Sequence, residues 1–184
     1  SLLTLGSLAF LKSQDIVTNM TLEKMVAQTN VVAGNLESTL SRTRADTIAI
    51  PSYPPIPGII RCWDNKQNPG QDPVQTGSNT QIWIERLAQI ATTQMQAYDE
   101  RIESAFYDQT GQGVMRVVTR RGGHELETTQ LADIAQEPYF LRTREIESGS
   151  TYVSPLKKNA QGQLSLHSCT PVFSEPSDSQ IEEF

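Results

Sequence analysis

The stretch IESAFYDQTGQGVMRVVTR, residues 102–120, decides the fold. Two runs rich in apolar, β-branched and aromatic side chains, Ile102 to Asp108 and Val114 to Arg120, flank Gln109-Thr110-Gly111-Gln112-Gly113, whose glycines supply turn geometry. Runs of this length around so short a turn pair as an antiparallel β-hairpin. On the N-terminal side, residues 81–98 carry Trp83, Leu87, Ile90 and Met95 along one side, with Ser78 or Asn79 placed to cap the first turn, so the segment predicts an amphipathic helix. On the C-terminal side, Leu131 to Gln136 predicts a short helix before Pro138 to Arg144. Thr151 to Ser154 and Leu164 to Phe173 then predict further strands, parted by an Asn159-Ala160-Gln161-Gly162 turn. Helices gathered before an antiparallel sheet make an α+β plan.

Upstream, Lys12 to Ile50 contains no proline and one glycine, Gly34, while Ile16, Met20, Met25, Val32, Leu36 and Leu40 recur near helical steps. A single long helix accounts for this, and nearly forty helical residues extend roughly 55–60 Å. Gln14, Asp15, Asn19, Glu23, Lys24, Asn30, Glu37 and Arg42 occupy the other faces. The narrow apolar stripe therefore suits a domain flank or a sister helix, which makes a homodimer an expectation. Ser1 to Leu11 is uncharged but too short to cross a bilayer, which takes about 20 apolar residues. It fits either the outer end of a membrane anchor or the ordinary start of a helix. Pro51, Pro54, Pro55 and Pro57 stop the helix. Gly58 to Trp63 forms a short helical or apolar patch, and Asp64 to Thr80 has the Asn, Gly, Pro and Ser content of a surface loop. Three segments result: a long helix over 1–50, a Pro/Gly-rich loop region over 51–80, and an α+β unit over 81–184.

The chain has 184 residues with 37% hydrophobic and 20% charged side chains, a composition that affords one cored domain plus an appendage. Its net charge of -6 repels polyanions, so nucleic acid is not an expected partner. Cys62 and Cys169 lie far apart without a C-x-x-C element, and His124 and His167 lack metal-ligand spacing, so neither a metal nor another cofactor is expected. No P-loop, G-x-G-x-x-G or G-x-S-x-G is present, and no nucleophile stands beside a base, so an enzyme is not expected either.

The order of several elements adds a family likeness. A long helix, then IIRCWDN (59–65), QDPVQTGS (71–78), TQIWIERLAQI (80–90), the hairpin above, PYF (138–140), GSTYVSP (149–155) and TPVF (170–173) together resemble the double Cache (PAS-like) extracytoplasmic sensor domains of bacterial histidine kinases, diguanylate cyclases and chemoreceptors. The resemblance implies a membrane-distal PAS-like unit, here without the proximal unit that such sensors carry, held at the periplasmic face of the inner membrane. It also implies a small-molecule ligand between the sheet and the segments Pro138 to Arg144 and Thr151 to Pro155.

On that basis Tyr139, Arg142, Arg144, Tyr152 and Ser154 are the candidate binding residues. A guanidinium grips a carboxylate with parallel hydrogen bonds, and a tyrosine adds an apolar wall and a hydroxyl. The chain departs from similar sensors in carrying Glu137 where a basic residue often precedes P-Y-F, with Ile134 upstream. Either Arg142 or Arg144 then meets a small carboxylate, or the ligand is an amine held by Glu137 and Asp133. His167 and Cys169, two apart on a strand, are read as packing residues, and Trp83 with Arg86 as cover for the core. The competing expectation is a docking or structural module whose long helix and α+β unit seat a partner protein.

Overall fold

A proline-free run of this length has nothing to break its backbone ladder, and Leu2–Ala49 forms one helix, α1. The computed structural model describes residues 2–98, 100–120, 123–129, 131–158, 162 and 164–173, with side chains from Val17 onward. The Ile16 side chain, residues 159–161 of the expected turn and the polar tail from residue 174 lie outside the described residues. The chain divides into two units, residues 1–43 and 44–184. In the first, α1 displays Val17, Met20, Leu22, Met25, Val26, Val31, Val32 and Leu36 to solvent. No helix among the described residues is long and apolar enough to cross a membrane.

The second unit begins with the last residues of α1, which are fixed by an Asp46–Arg101 ion pair and by Thr47 Oγ1 against Ser168 Oγ at 2.8 Å. Ile50–Ser52 tightens into a 3-10 turn at Pro51. Within the 51–80 loop region, the expected short helical or apolar patch at Gly58 to Trp63 is the middle of a longer helix, α2 (Pro55–Asp64). The reason is positional: a proline in the first helical turn forfeits no hydrogen bond, so the prolines that stop α1 also start α2. Its apolar side buries Ile56, Ile59 and Cys62 completely. α3 (Thr80–Ala97) starts where Asn79 accepts the Ile82 N–H in its side-chain oxygen at 2.9 Å. It buries Trp83, Leu87, Ala91 and Met95 at helical spacing.

The hairpin forms β1 (Glu103–Tyr107) and β2 (Gly113–Arg120), closed by Asp108, whose Oδ1 accepts from the Thr110 and Gln112 N–H groups. A third strand, β3 (Gly123–Glu127), extends the antiparallel order β1-β2-β3. Its few polar residues gave no strand signal, yet their alternation is regular: Leu126 pairs with Val117, while Glu125 and Glu127 pair with Val118 and Arg116 on the other face. Met115 and Val117 point to the α2–α3 side and complete the core with Ile56, Ile59, Cys62 and Met95.

Leu131 to Gln136 is not the helix expected from sequence. Asp133 bridges to Gln112, Ile134 donates its N–H to Gly111 O at 2.9 Å, and Ile134 is buried. Docking on the hairpin turn outweighs local helix preference in so short a run. The helix lies just beyond, as α4 (Pro138–Arg144), again with proline in its first turn. The C-terminal strand signals resolve into two short ladders: β4 (Tyr152–Val153) with β7 (Ser168–Cys169), and β5 (Lys157–Lys158) with β6 (Leu164–Ser165). The chain is thus mixed α+β, with a long N-terminal helix and a small antiparallel sheet.

Candidate functional site

The sheet has two chemically different faces. One is the apolar floor under α2 and α3. The other carries Glu103, Arg116, Arg120, Glu125 and Glu127, because period-2 alternation sends these charges away from the core. Arg116 bonds Glu103 at 2.7 Å and Glu127 at 3.0 Å, and Arg120 bonds Glu125 at 2.9 Å and Glu127 at 2.6 Å. The hydrogen bond that Arg116 donates to Glu103 holds its guanidinium further into its charged range. Both guanidiniums are committed to carboxylates, and the ladder holds three carboxylates against two guanidiniums.

Next to this ladder stands an aromatic cluster. Tyr107, at the end of β1, interacts with Tyr139 on α4, and burial pushes both phenols above their ordinary range. The Tyr139 ring lies flat on His167, with centroids 4.2 Å apart and planes 11° from parallel. Pairing of Tyr152 with Cys169 sets the register of the short ladder, and Ser154 follows opposite His167. The Ser154 N–H donates to His167 O and the His167 N–H donates to Ser154 Oγ, each at 2.8 Å. Two-residue alternation therefore turns Tyr152, Ser154, His167 and Cys169 to one side of the ladder. Cys169 is a free thiol pushed up to about 11 by burial, an effect that a hydrogen bond with Thr143 partly offsets.

Of the five residues expected from sequence, Tyr139, Tyr152 and Ser154 are brought together here. Arg142 is instead two-thirds exposed and paired with Glu145 at 3.1 Å. Arg144 is exposed with its guanidinium 5.9 Å from the Phe140 ring. On a short helix beginning at Pro138, positions 142 and 144 fall in the last turn, beyond the Tyr139 ring. Glu137 is exposed, and Asp133 Oδ1 accepts the Ala135 N–H at 2.8 Å. Tyr107, Thr143, His167 and Cys169 are the members that sequence reasoning missed as site residues. Strand alternation already placed His167 and Cys169 on one face, whereas nothing local tied Tyr107 to Tyr139.

A second feature centres on Asp72 in the loop between α2 and α3. Its buried carboxylate accepts Arg61 Nε at 3.1 Å, Arg61 Nη2 at 2.7 Å, Trp83 Nε1 at 2.9 Å and the Val74 N–H at 2.9 Å. The Arg61 hydrogen bonds hold the Asp72 carboxyl well below the usual carboxylate range against the opposing effect of burial. A fully satisfied carboxylate of this kind fastens a loop and leaves no reactive lone pair exposed. Among the described residues no cluster of His, Cys, Asp and Glu is arranged to hold a metal ion. No protein-family model, curated protein or solved structure matches the chain.

Proposed function

We propose that the chain is a non-enzymatic, ligand-sensing unit of a membrane-anchored bacterial receptor, similar to a double Cache (PAS-like) domain and lying on the periplasmic side of the inner membrane. The observation that carries this proposal is the gathering of Tyr107, Tyr139, Tyr152, Ser154 and His167 from β1, α4 and the β4–β7 ladder onto one wall. Three separate elements meet there through aromatic faces and hydroxyls, the groups that fix the orientation of a small solute.

Of the two ligand classes implied by sequence, an amine fits better than a carboxylate. Arg142 is engaged by Glu145 and Arg116 by two glutamates, whereas aromatic faces beside surplus carboxylate charge attract a cation. Binding repositions α4, because Tyr139 is in ring contact with His167, and unequal affinity for the two α4 positions shifts their populations. Asp46 and Thr47 join the end of α1 to the same unit, so the long helix receives the bias and carries it onward, in a dimer paired along the exposed stripe of α1.

A thermal-shift survey of small amines and small carboxylates tests this. The expected result is stabilisation by an amine at saturating concentration, by RT ln(1 + [L]/Kd), about 2.7 kcal/mol at a hundredfold excess over Kd. Stabilisation by carboxylates alone would overturn the amine preference, and stabilisation by neither would overturn the sensor.

A further inference from the structure

On the opposite side of the sheet, the helical layer carries a groove of about 620 Å³ lined by Pro54, Pro55, Trp83, Arg86, Gln89 and Ile90, with Thr93 and Gln94 closing one end. None of the residues of the aromatic wall takes part in it. The geometry points to a second binding site here, for a small amphipathic monocarboxylate whose carboxylate meets Arg86 and whose apolar or aromatic body lies along Trp83, Pro55 and Ile90.

Arg86 is the distinctive group. Arg86 is a half-buried residue whose guanidinium sits 4.4 Å from the Trp83 ring centroid, and it has no carboxylate partner among the described residues. Arg61, Arg101, Arg116, Arg120 and Arg142 in the same unit each carry at least one, and Arg144, which carries none among those residues, is exposed where Arg86 is not. A guanidinium laid on an aromatic face keeps its N–H edge available, and that edge matches a carboxylate bidentately. The bed beneath it is rigid for identifiable reasons. Trp83 is anchored by its Nε1–H to Asp72, and the Gly58 backbone lies so close to the ring that a Cβ there would come within 2.4 Å of it. The Gln94 amide is spent on Tyr53 Oη and the Thr93 hydroxyl on Gln89 O, so the far end offers packing more than charge. One cation at one end of an apolar trough selects a ligand with one anion at one end.

The probe is 4-phenylbutyrate, with 4-phenylbutyramide as its uncharged counterpart. Trp83 emission is followed in a Trp63→Phe background, since Trp63 and Trp83 are the two tryptophans. The carboxylate should produce a saturable change, and the amide should bind about tenfold more weakly, as should the carboxylate to Arg86→Gln. Arg86→Lys, which keeps the charge but not the fork, should fall between. Circular dichroism checks that each variant is folded, and amide shifts at Thr93 and Gln94 of the unsubstituted chain give a reading independent of any variant. Equal binding of acid and amide, undiminished binding by a folded Arg86→Gln, or no saturation up to about 10 mM would overturn the site. Groove shifts that follow protein concentration without probe would instead assign it to a second copy of the chain and equally overturn it. Loss of the amine effect at Tyr139 would leave this result untouched.

Discussion

The indole Nε1–H of Trp83 donates to Asp72 Oδ2 at 2.9 Å, tying the first turn of α3 to a loop eleven residues earlier. Arg61 on α2 grips the same carboxylate at both oxygens, so one side chain joins two helices and the loop between them. Asp72→Ala leaves Trp83 Nε1, two loop N–H groups and a guanidinium unpaired. We predict a loss of about 3 kcal/mol, read by urea unfolding, with Trp83 becoming more exposed.

The same carboxylate gives the unit a pH signature. Its pKa is lower folded than unfolded, so the pairing stabilises fully above the ordinary aspartate value near 4 and the contribution is lost as pH falls below it. Unfolding free energy measured from pH 6 to pH 2.5 should drop in the wild type and drop less in Asp72→Asn. Parallel slopes for the two proteins would refute this.

Gly58 is required by contact, since a Cβ there meets the Trp83 ring at 2.4 Å. Gly58→Ala should cost about 1–3 kcal/mol through displacement of Trp83, visible as a changed near-UV circular dichroism band. Gly34, whose surroundings are open, provides the control: Gly34→Ala should be neutral or slightly stabilising.

Gly111 combines a φ of +93° with an approach of 2.6 Å from a Cβ to the Ala135 backbone nitrogen. Gly111→Ala should therefore strain the hairpin turn and release Ile134, loosening the segment that leads into α4. Hydrogen exchange should quicken at the Ile134 N–H while the core of α3 stays protected.

Burial keeps the Cys169 thiol protonated up to about pH 11, and burial likewise raises the Cys62 thiol. Only a thiolate reacts readily with alkylating agents. Iodoacetamide at pH 8.5 should modify the native chain at least tenfold more slowly than the urea-unfolded chain, and rapid modification of Cys169 alone would show that α4 does not cover it.

Much of this architecture was legible before any coordinates. The hairpin was visible because Gly111 and Gly113 sit between two strand-forming runs, and α3 because Asn79 precedes a helical apolar pattern. What escaped was decided by contacts between distant segments. β3 holds one apolar side chain, Leu126, which stays exposed, too little for a periodic signal, and the strand forms because β2 offers it a register. Leu131 to Gln136 has helix-forming residues, but Gly111 supplies an acceptor for the Ile134 N–H and captures the segment as a bridge and a turn. In the candidate site, Tyr139, Tyr152 and Ser154 came from motif order. Arg142 and Arg144 were chosen by charge, and the two-turn span of α4 sends them to the surface. Tyr107 was invisible because its meeting with Tyr139 depends on how α4 folds back over the sheet.

The central claim is that the wall around Tyr139 receives a small solute. Its most direct test is a calorimetric titration of the most stabilising amine from the thermal survey into the wild type and into Tyr139→Ala. The account predicts one saturable site per chain in the wild type and at least a tenfold weaker site in the variant, at unchanged folding. Equal affinity in both proteins, or no heat in either, would contradict it.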